Sequence, residues 1–238
     1  MIGPSGCGKS TLANLLSGRS EPTAGAVAID GEPMSAAVRK RIGVVPQYDA
    51  VHERLTVSQA LTAAAKLRVS SDTPRAAVDA AVAETAATLG LDGRLGTRVA
   101  KLSGGQKKRV SVGYELVADP IMMVLDEPTS GLDPGLEQEL IAELRAMADR
   151  GTTTIVVTHS TEAAEQADLV VVMAPGGHVV FVGPPAAVLT TSVPPSGPRC
   201  SIVSHPTPVP VGPPTSAVPR PTHGTSPLPR RHPHRAGP

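Results

Sequence analysis

Aromatic side chains are almost missing from this 238-residue sequence, which holds two Tyr, one Phe and no Trp. That excludes an aromatic core and recognition of nucleic acid by base stacking. Leu, Val, Ile, Ala and Met must fill the interior, which suits helices packed on an aliphatic parallel sheet. Cysteine is equally scarce: Cys7 and Cys200 form no disulfide framework, and a reducing compartment fits them. No stretch approaches the roughly 20 consecutive apolar residues that cross a bilayer, and the first residues show no charged stretch followed by an apolar run. Any membrane role is therefore expected to come through a partner.

Acidic residues are missing from one region. Thr190 to Pro238 has five Arg and no Asp, Glu or Lys, which leaves 17 basic against 21 acidic residues elsewhere. A body of that sign has no electrostatic footprint for a nucleic-acid backbone, and no nucleic-acid partner is expected. The same tail holds 14 Pro, too little apolar surface to offset chain entropy, so disorder is expected over 190–238. Residues 1–189 read as one globular α/β domain with a helical insertion over about 50–117.

Within that domain the pattern alternates. Gly8 to Ser17 reads as a helix stopped by Gly18, and Ala26 to Ile29 and Ile42 to Val45 read as strands. Thr56 with Gln59, and Ser103 with Gln106, make capping boxes, while Thr73-Pro74 opens an Ala-rich helix ending at Leu89-Gly90. Met122 to Leu125 is a buried strand, and Asp133 caps a helix from Pro134 to Asp149. Thr154 to Thr158 and Leu169 to Met173 are further strands separated by a helix, which predicts parallel βαβ units. Pro175-Gly176-Gly177 turns into a last strand, His178 to Val182, and a short helix ends near Leu189.

Gly3-Pro4-Ser5-Gly6-Cys7-Gly8-Lys9-Ser10 fits G-x-x-x-x-G-K-[ST], a loop whose backbone N–H groups curl around a phosphate at a helix N-terminus. Glycines permit that approach, Lys9 reaches the β- and γ-phosphates, and the Ser10 hydroxyl is placed to ligate Mg²⁺. Ile121 to Leu125 is an apolar run ending in Asp126-Glu127, which gives a second site. Asp126 is expected to hold the Mg²⁺ shell and Glu127 to polarise the attacking water. His159 follows the next strand, at the end where α/β ligand sites lie, and is placed to donate to the γ-phosphate. Gln47 is ambiguous taken alone, since a loop glutamine is usually only solvated. Ser103 exposes a helix N-terminus, a second anion site for which a monomer with one nucleotide has no use. The economical reading is that it caps the triphosphate held by another copy.

The ordered motifs GPSGCGKST, VVPQYD, LSGGQKKR, IMMVLDEPTSGLD and VVTHS closely resemble ABC transporter nucleotide-binding domains, over Ile2 to about Leu189. The resemblance implies a P-loop NTPase, RecA-like α/β core with a helical subdomain, ATP and Mg²⁺ as ligands, and ATP hydrolysis. It implies that Gly3, Ser5, Gly6, Cys7, Gly8, Lys9, Ser10 and Thr11 hold the nucleotide, and that Gln47 joins Ser10 and Asp126 at the metal and couples the γ-phosphate to a membrane domain. Ser103 and Gly105 are implied to act in trans, with Asp133 communicating across the dimer. LTVSQALTAAAKLRV, KKRVSVGYELVADP and MAPGGHVVFVGPP look like the G-type, ABC-2 export half transporters. They look closest to actinobacterial proteins that fuse a forkhead-associated region, an ATPase and a membrane domain. The implied setting is the cytoplasmic face of the cell membrane, with a second ATPase copy and an ABC-2 type membrane domain as partners. A soluble ABC ATPase without transport and an inactive truncated remnant are the alternatives.

Family members carry two strands with an adenine-stacking aromatic, then an apolar strand, ahead of the loop. Met1 and Ile2 alone stand there here, so a fragment with missing N-terminal core strands and unpartnered backbone groups is expected. Cys7 reads as a small filler of the loop rather than a redox gate.

Overall fold

The computed structural model describes residues 1–48, 51–69 and 72–190. The tail, with Cys200 and the disorder expected of it, lies outside them. The first helix, α1 (Lys9–Leu16), starts directly from the Gly-rich loop, and Gly18 ends it at φ 69°. Asp30 and Gly31, with φ of 51° and 81°, turn a small hairpin of β1 (Ala28–Ile29) and β2 (Glu32–Pro33). Ser35 caps the short α2 (Ala36–Arg39), which leads into β3 (Ile42–Val45).

The helical insertion forms as its caps predict. Thr56 and Gln59 close a capping box on α3 (Val57–Arg68), and Ser103 and Gln106 close another on α5 (Gly104–Leu116). Between them α4 (Arg75–Thr88) has Pro74 at its N-cap and ends before Gly90 at φ 59°. Leu61, Leu89, Leu91, Val99 and Val110 are fully buried among these helices, each contributing about 2 kcal/mol by removal from water. Helix α5 comes so close to α3 that a Cβ on Gly113 would lie 2.8 Å from Leu61 Cδ2.

The core sheet runs β3, β4 (Met122–Asp126), β5 (Thr153–Val157), all parallel, with Val45 opposite Leu125 and Leu125 opposite Val156. Residues Met122 to Leu125 are buried, as a central strand covered on both faces requires. Helix α6 (Pro134–Asp149) makes the return from β4 to β5, and its N-cap Asp133 accepts from the Gly135 and Leu136 N–H groups at 3.1 Å each. A second cluster of Ala13, Val38, Ile42, Met122, Val124 and Val157 packs α1 and α2 on the sheet.

The last strands depart from the sequence reading. Helix α7 (Thr161–Glu165) does connect β5 to β6 (Val170–Ala174), but these two strands are not hydrogen-bonded neighbours. Strand β6 instead pairs antiparallel with β7 (His178–Gly183) across the Pro175-Gly176-Gly177 turn, followed by α8 (Pro185–Thr190). Met1 and Ile2 sit between β5 and β6. Ile2 N–H bonds Val171 O and Met173 N–H bonds Ile2 O, both at 2.9 Å, while Thr158 N–H bonds Met1 O at 3.1 Å. Alternating apolar runs reveal strand type and direction of burial, but not which strand lies beside which. Among the described residues no helix is long and apolar enough to cross a membrane.

Candidate active site

Because Met1 bonds to Thr158 and Ile2 to Met173, the chain emerges at Gly3 beside the C-terminal ends of β5 and β6. Gly3 has φ 152°, and a Cβ there would lie 2.4 Å from Met173 O, so the loop presses its backbone onto β6. Gly6 and Gly8 also take positive φ, 76° and 99°. Pro4, Ser5 and Gly6 are exposed, whereas Cys7 is 1% exposed. The Cys7 thiol turns inward beneath Gly3, away from the loop's outer face.

Ser35, Thr56, Ser103, Asp133 and Ser160 supply side-chain caps to α2, α3, α5, α6 and α7, whereas Pro74 of α4 and Gly8 of α1 supply none. The first N–H groups of α1 therefore stay orphaned at the loop, the condition that an anion satisfies. Ser10 and Thr11 are exposed on this first turn. Lys9 is 6% exposed and folds back over the loop, donating from Nζ to Gly3 O at 2.9 Å and Pro4 O at 3.0 Å. A triphosphate offers Lys9 a better partner than neutral carbonyls, and the loop, Ser10 and Asp126 at the end of β4 fit Mg²⁺ with ATP.

Three successive strands then deliver three side chains to one point. Gln47 follows β3 by two residues, Glu127 follows β4 by one, and His159 follows β5 by two. Gln47 Nε2 donates to Glu127 Oε2 at 3.0 Å, and His159 Nε2 lies 2.9 Å from Glu127 Oε1. Glu127 is held there by its N–H bond to Val157 O at 2.8 Å and by a left-handed backbone at φ 46°. A non-glycine residue keeps that conformation only where its surroundings enforce it, and such positions cluster at functional sites.

Sequence reasoning missed Lys108. It is 3% exposed on α5, and its Nζ donates to Gln47 O at 2.9 Å, linking the Ser103 helix to the Gln47 loop. A Lys in a basic helical run reads as solvated, so nothing in the sequence marked it. Ser103 is exposed at the start of α5, its hydroxyl accepting from Gln106 N–H at 3.3 Å. Gly105 lies against Leu136 of α6, where a Cβ would approach Leu136 Cδ1 to 3.1 Å. The structure thus brings Gln47, Glu127 and His159 into contact, and leaves the Ser103 surface facing outward.

A family profile described as ABC transporter matches residues 1–130. The chain is 47% identical over 191 residues to the ABC transporter ATP-binding/permease protein Rv1747 of Mycobacterium tuberculosis, covering 79% of this chain and 22% of that protein. It is 40% identical to the sn-glycerol-3-phosphate import ATP-binding protein UgpC of Chromohalobacter salexigens, covering 79% of this chain and 51% of the relative. With ABC transporter G family member 21 of Arabidopsis thaliana the identity is 36%, over 74% of this chain and 27% of the relative. The chain thus spans between about a fifth and a half of these proteins. Among solved structures, cbiO1 of Clostridium perfringens, part of the ABC transporter complex cbiONQ, superposes with a TM-score of 0.70 at 31% identity, covering 80% of this chain and 78% of that one. Matched by profile, sequence and fold together, the chain belongs to the ABC transporter ATP-binding family, P-loop ATPases whose hydrolysis of ATP powers transport.

Proposed function

We propose that this chain is the ATP-hydrolysing part of an ABC exporter, in which two copies close on two ATP molecules and drive an ABC-2 type membrane domain. The observation that carries this reading is the Gln47, Glu127, His159 contact at the ends of three adjacent parallel strands. In this account Gly3 to Thr11 wrap the phosphates, and Lys9 leaves Gly3 O and Pro4 O for the β- and γ-oxygens. Ser10, Asp126 and Gln47 would hold Mg²⁺, which would supply neutralising charge to the phosphates. Glu127 accepts the proton of the attacking water, Gln47 and His159 orient its carboxylate, and His159 then donates to the γ-phosphate. Ser103 and Gly105 of the second copy supply the opposing wall, with Asp133 at the shared interface.

The export reading is supported by matches of 34% to 38% identity to rhizobial and Burkholderia proteins named Nod factor export ATP-binding protein I. The 40% match to an import protein makes direction the point to measure. Reconstitution with an ABC-2 type membrane domain should move a labelled hydrophobic compound away from the ATP side; movement toward it contradicts the export reading. For the catalytic assignment, Glu127→Gln should retain ATP, accumulate as a dimer in size-exclusion chromatography, and turn over ATP about 10²-fold more slowly or worse. Ordinary turnover by that variant contradicts the assigned base.

A further inference from the structure

Gln47 stands two residues beyond β3, and β3 is the outer strand of its sheet, hydrogen-bonded to β4 on one side. Ile121 N–H bonds Arg41 O, so the odd-numbered residues of β3 face β4. Strand alternation turns the Val44 N–H to the opposite edge. A strand of four residues has little to hold it in place, and an edge N–H left to water lets its end fray together with the loop that follows.

Here a side chain takes that N–H. Glu115 of α5 accepts from Val44 N–H on Oε2 at 3.1 Å, and the same oxygen pairs with Arg68, the last residue of α3. The Glu115 and Arg68 side chains are 18% and 29% exposed, so the pair is partly shielded from water and its geometry is fixed from two helices. Gly43 permits this approach, since a Cβ there would lie 3.0 Å from Glu115 Cβ. About two turns back along α5, Lys108 Nζ holds Gln47 O at 2.9 Å. Beyond the loop, His52 N–H donates to the Tyr114 hydroxyl at 3.2 Å, and Lys107 pairs with Glu53 at 2.6 Å. Helix α5 therefore grips the chain on both sides of Gln47, and Glu115 is its grip on the strand side.

We propose that Glu115 is a positioning residue for ATP hydrolysis: its carboxylate, oriented by Arg68, fixes the end of β3 so that Gln47 meets Glu127. The Gln47 to Glu127 hydrogen bond is 3.0 Å long, and a shift of about 1 Å at Gln47 is enough to break it. The phosphate loop receives no contact from Glu115, so the effect falls on turnover and not on nucleotide affinity. This proposal rests on Gln47 belonging to the hydrolytic site.

The test uses the 238-residue protein and reads kcat, affinity for a fluorescent ATP analogue, and amide hydrogen exchange at Val44. Glu115→Ala should lower kcat about ten-fold, leave affinity within about two-fold, and expose Val44 to exchange. Glu115→Gln keeps an acceptor for Val44 N–H and should recover kcat to within about three-fold of wild type. Arg68→Met leaves the carboxylate unoriented and should fall between the two. Val82→Ala, which loosens the helical insertion without touching this contact, should lower the melting temperature and leave kcat unchanged. The proposal is overturned if Glu115→Ala loses stability alone, if Glu115→Gln turns over no faster than Glu115→Ala, or if Val82→Ala slows turnover equally. Should Glu115→Ala fail to fold, unchanged kcat and Val44 protection in Arg68→Met overturn it. Gln47→Ala, measured alongside, separates the two levels: ordinary turnover there contradicts the site reading, whereas a slow Gln47→Ala beside a fast Glu115→Ala overturns the role of Glu115 alone.

Discussion

Lys108 and Gln47 show how one buried charge can set the geometry of the candidate site. The Lys108 ammonium holds Gln47 through its carbonyl at 2.9 Å, and the Gln47 side chain holds Glu127 at 3.0 Å. Replacing Lys108 by Met keeps the apolar stem and loses that anchor. Turnover should fall about ten-fold while ATP affinity changes little, the signature of a lost positioning contact rather than lost binding. Measured kcat and nucleotide Kd for Lys108→Met separate the two, and a loss confined to affinity contradicts the assignment. Lys9→Ala should behave oppositely, with nucleotide binding itself abolished in equilibrium dialysis. At this scale the sequence marked Lys9, Asp126, Glu127 and His159 as candidates through their order along the chain. It concealed Lys108 because burial of a cation is a property of tertiary packing, and it left Gln47 ambiguous because a loop glutamine carries no periodicity.

Caps and strand edges act at the next scale. Thr56 and Ser103 cap their helices with the same reciprocal hydrogen bonds, so Thr56→Ala and Ser103→Ala should each cost about 1 kcal/mol in urea unfolding. Only Ser103→Ala should also depress ATP turnover under conditions where both variants are folded, because in the proposed dimer only that helix end faces a second nucleotide. The Met1 amine responds to pH. Burial, with Lys9 nearby, lowers the Met1 ammonium from its usual value near 8 to about 6. Between those values the unfolded chain binds the extra proton, so stability rises from pH 6 to pH 8 and is lost again as pH falls through 6, by ~2 kcal/mol. N-terminal acetylation should remove that slope relative to the unmodified chain, which cancels contributions from histidines; an unchanged slope contradicts the buried amine. Helices α3 to α6 were legible because caps and 3.6-residue periodicity are local. The neighbour relations of β6 were not, since the hydrogen bonds that define them link residues 170 positions apart in sequence, such as Ile2 and Val172.

For the whole molecule, the decisive relation is between two copies. The phosphate loop and the Gln47, Glu127, His159 contact lie together on one chain, while Ser103 and Gly104 stand exposed at a helix start where the capping box pairs the Ser103 and Gln106 N–H groups. The family motif order suggests that division of labour from the sequence, whereas the placement of Met1 and Ile2 between β5 and β6 is visible only in three dimensions. The account's central claim is that each ATP is enclosed by Lys9 of one copy and Ser103 of the other. The direct measurement mixes two variants, Lys9→Ala and Ser103→Arg, each inactive alone. Mixed dimers then contain one site built from an intact loop and an intact Ser103 helix, and activity should return to about a quarter of the wild-type rate if copies exchange freely. A mixture as inactive as its components, with heterodimers demonstrated by differential tagging, contradicts the account.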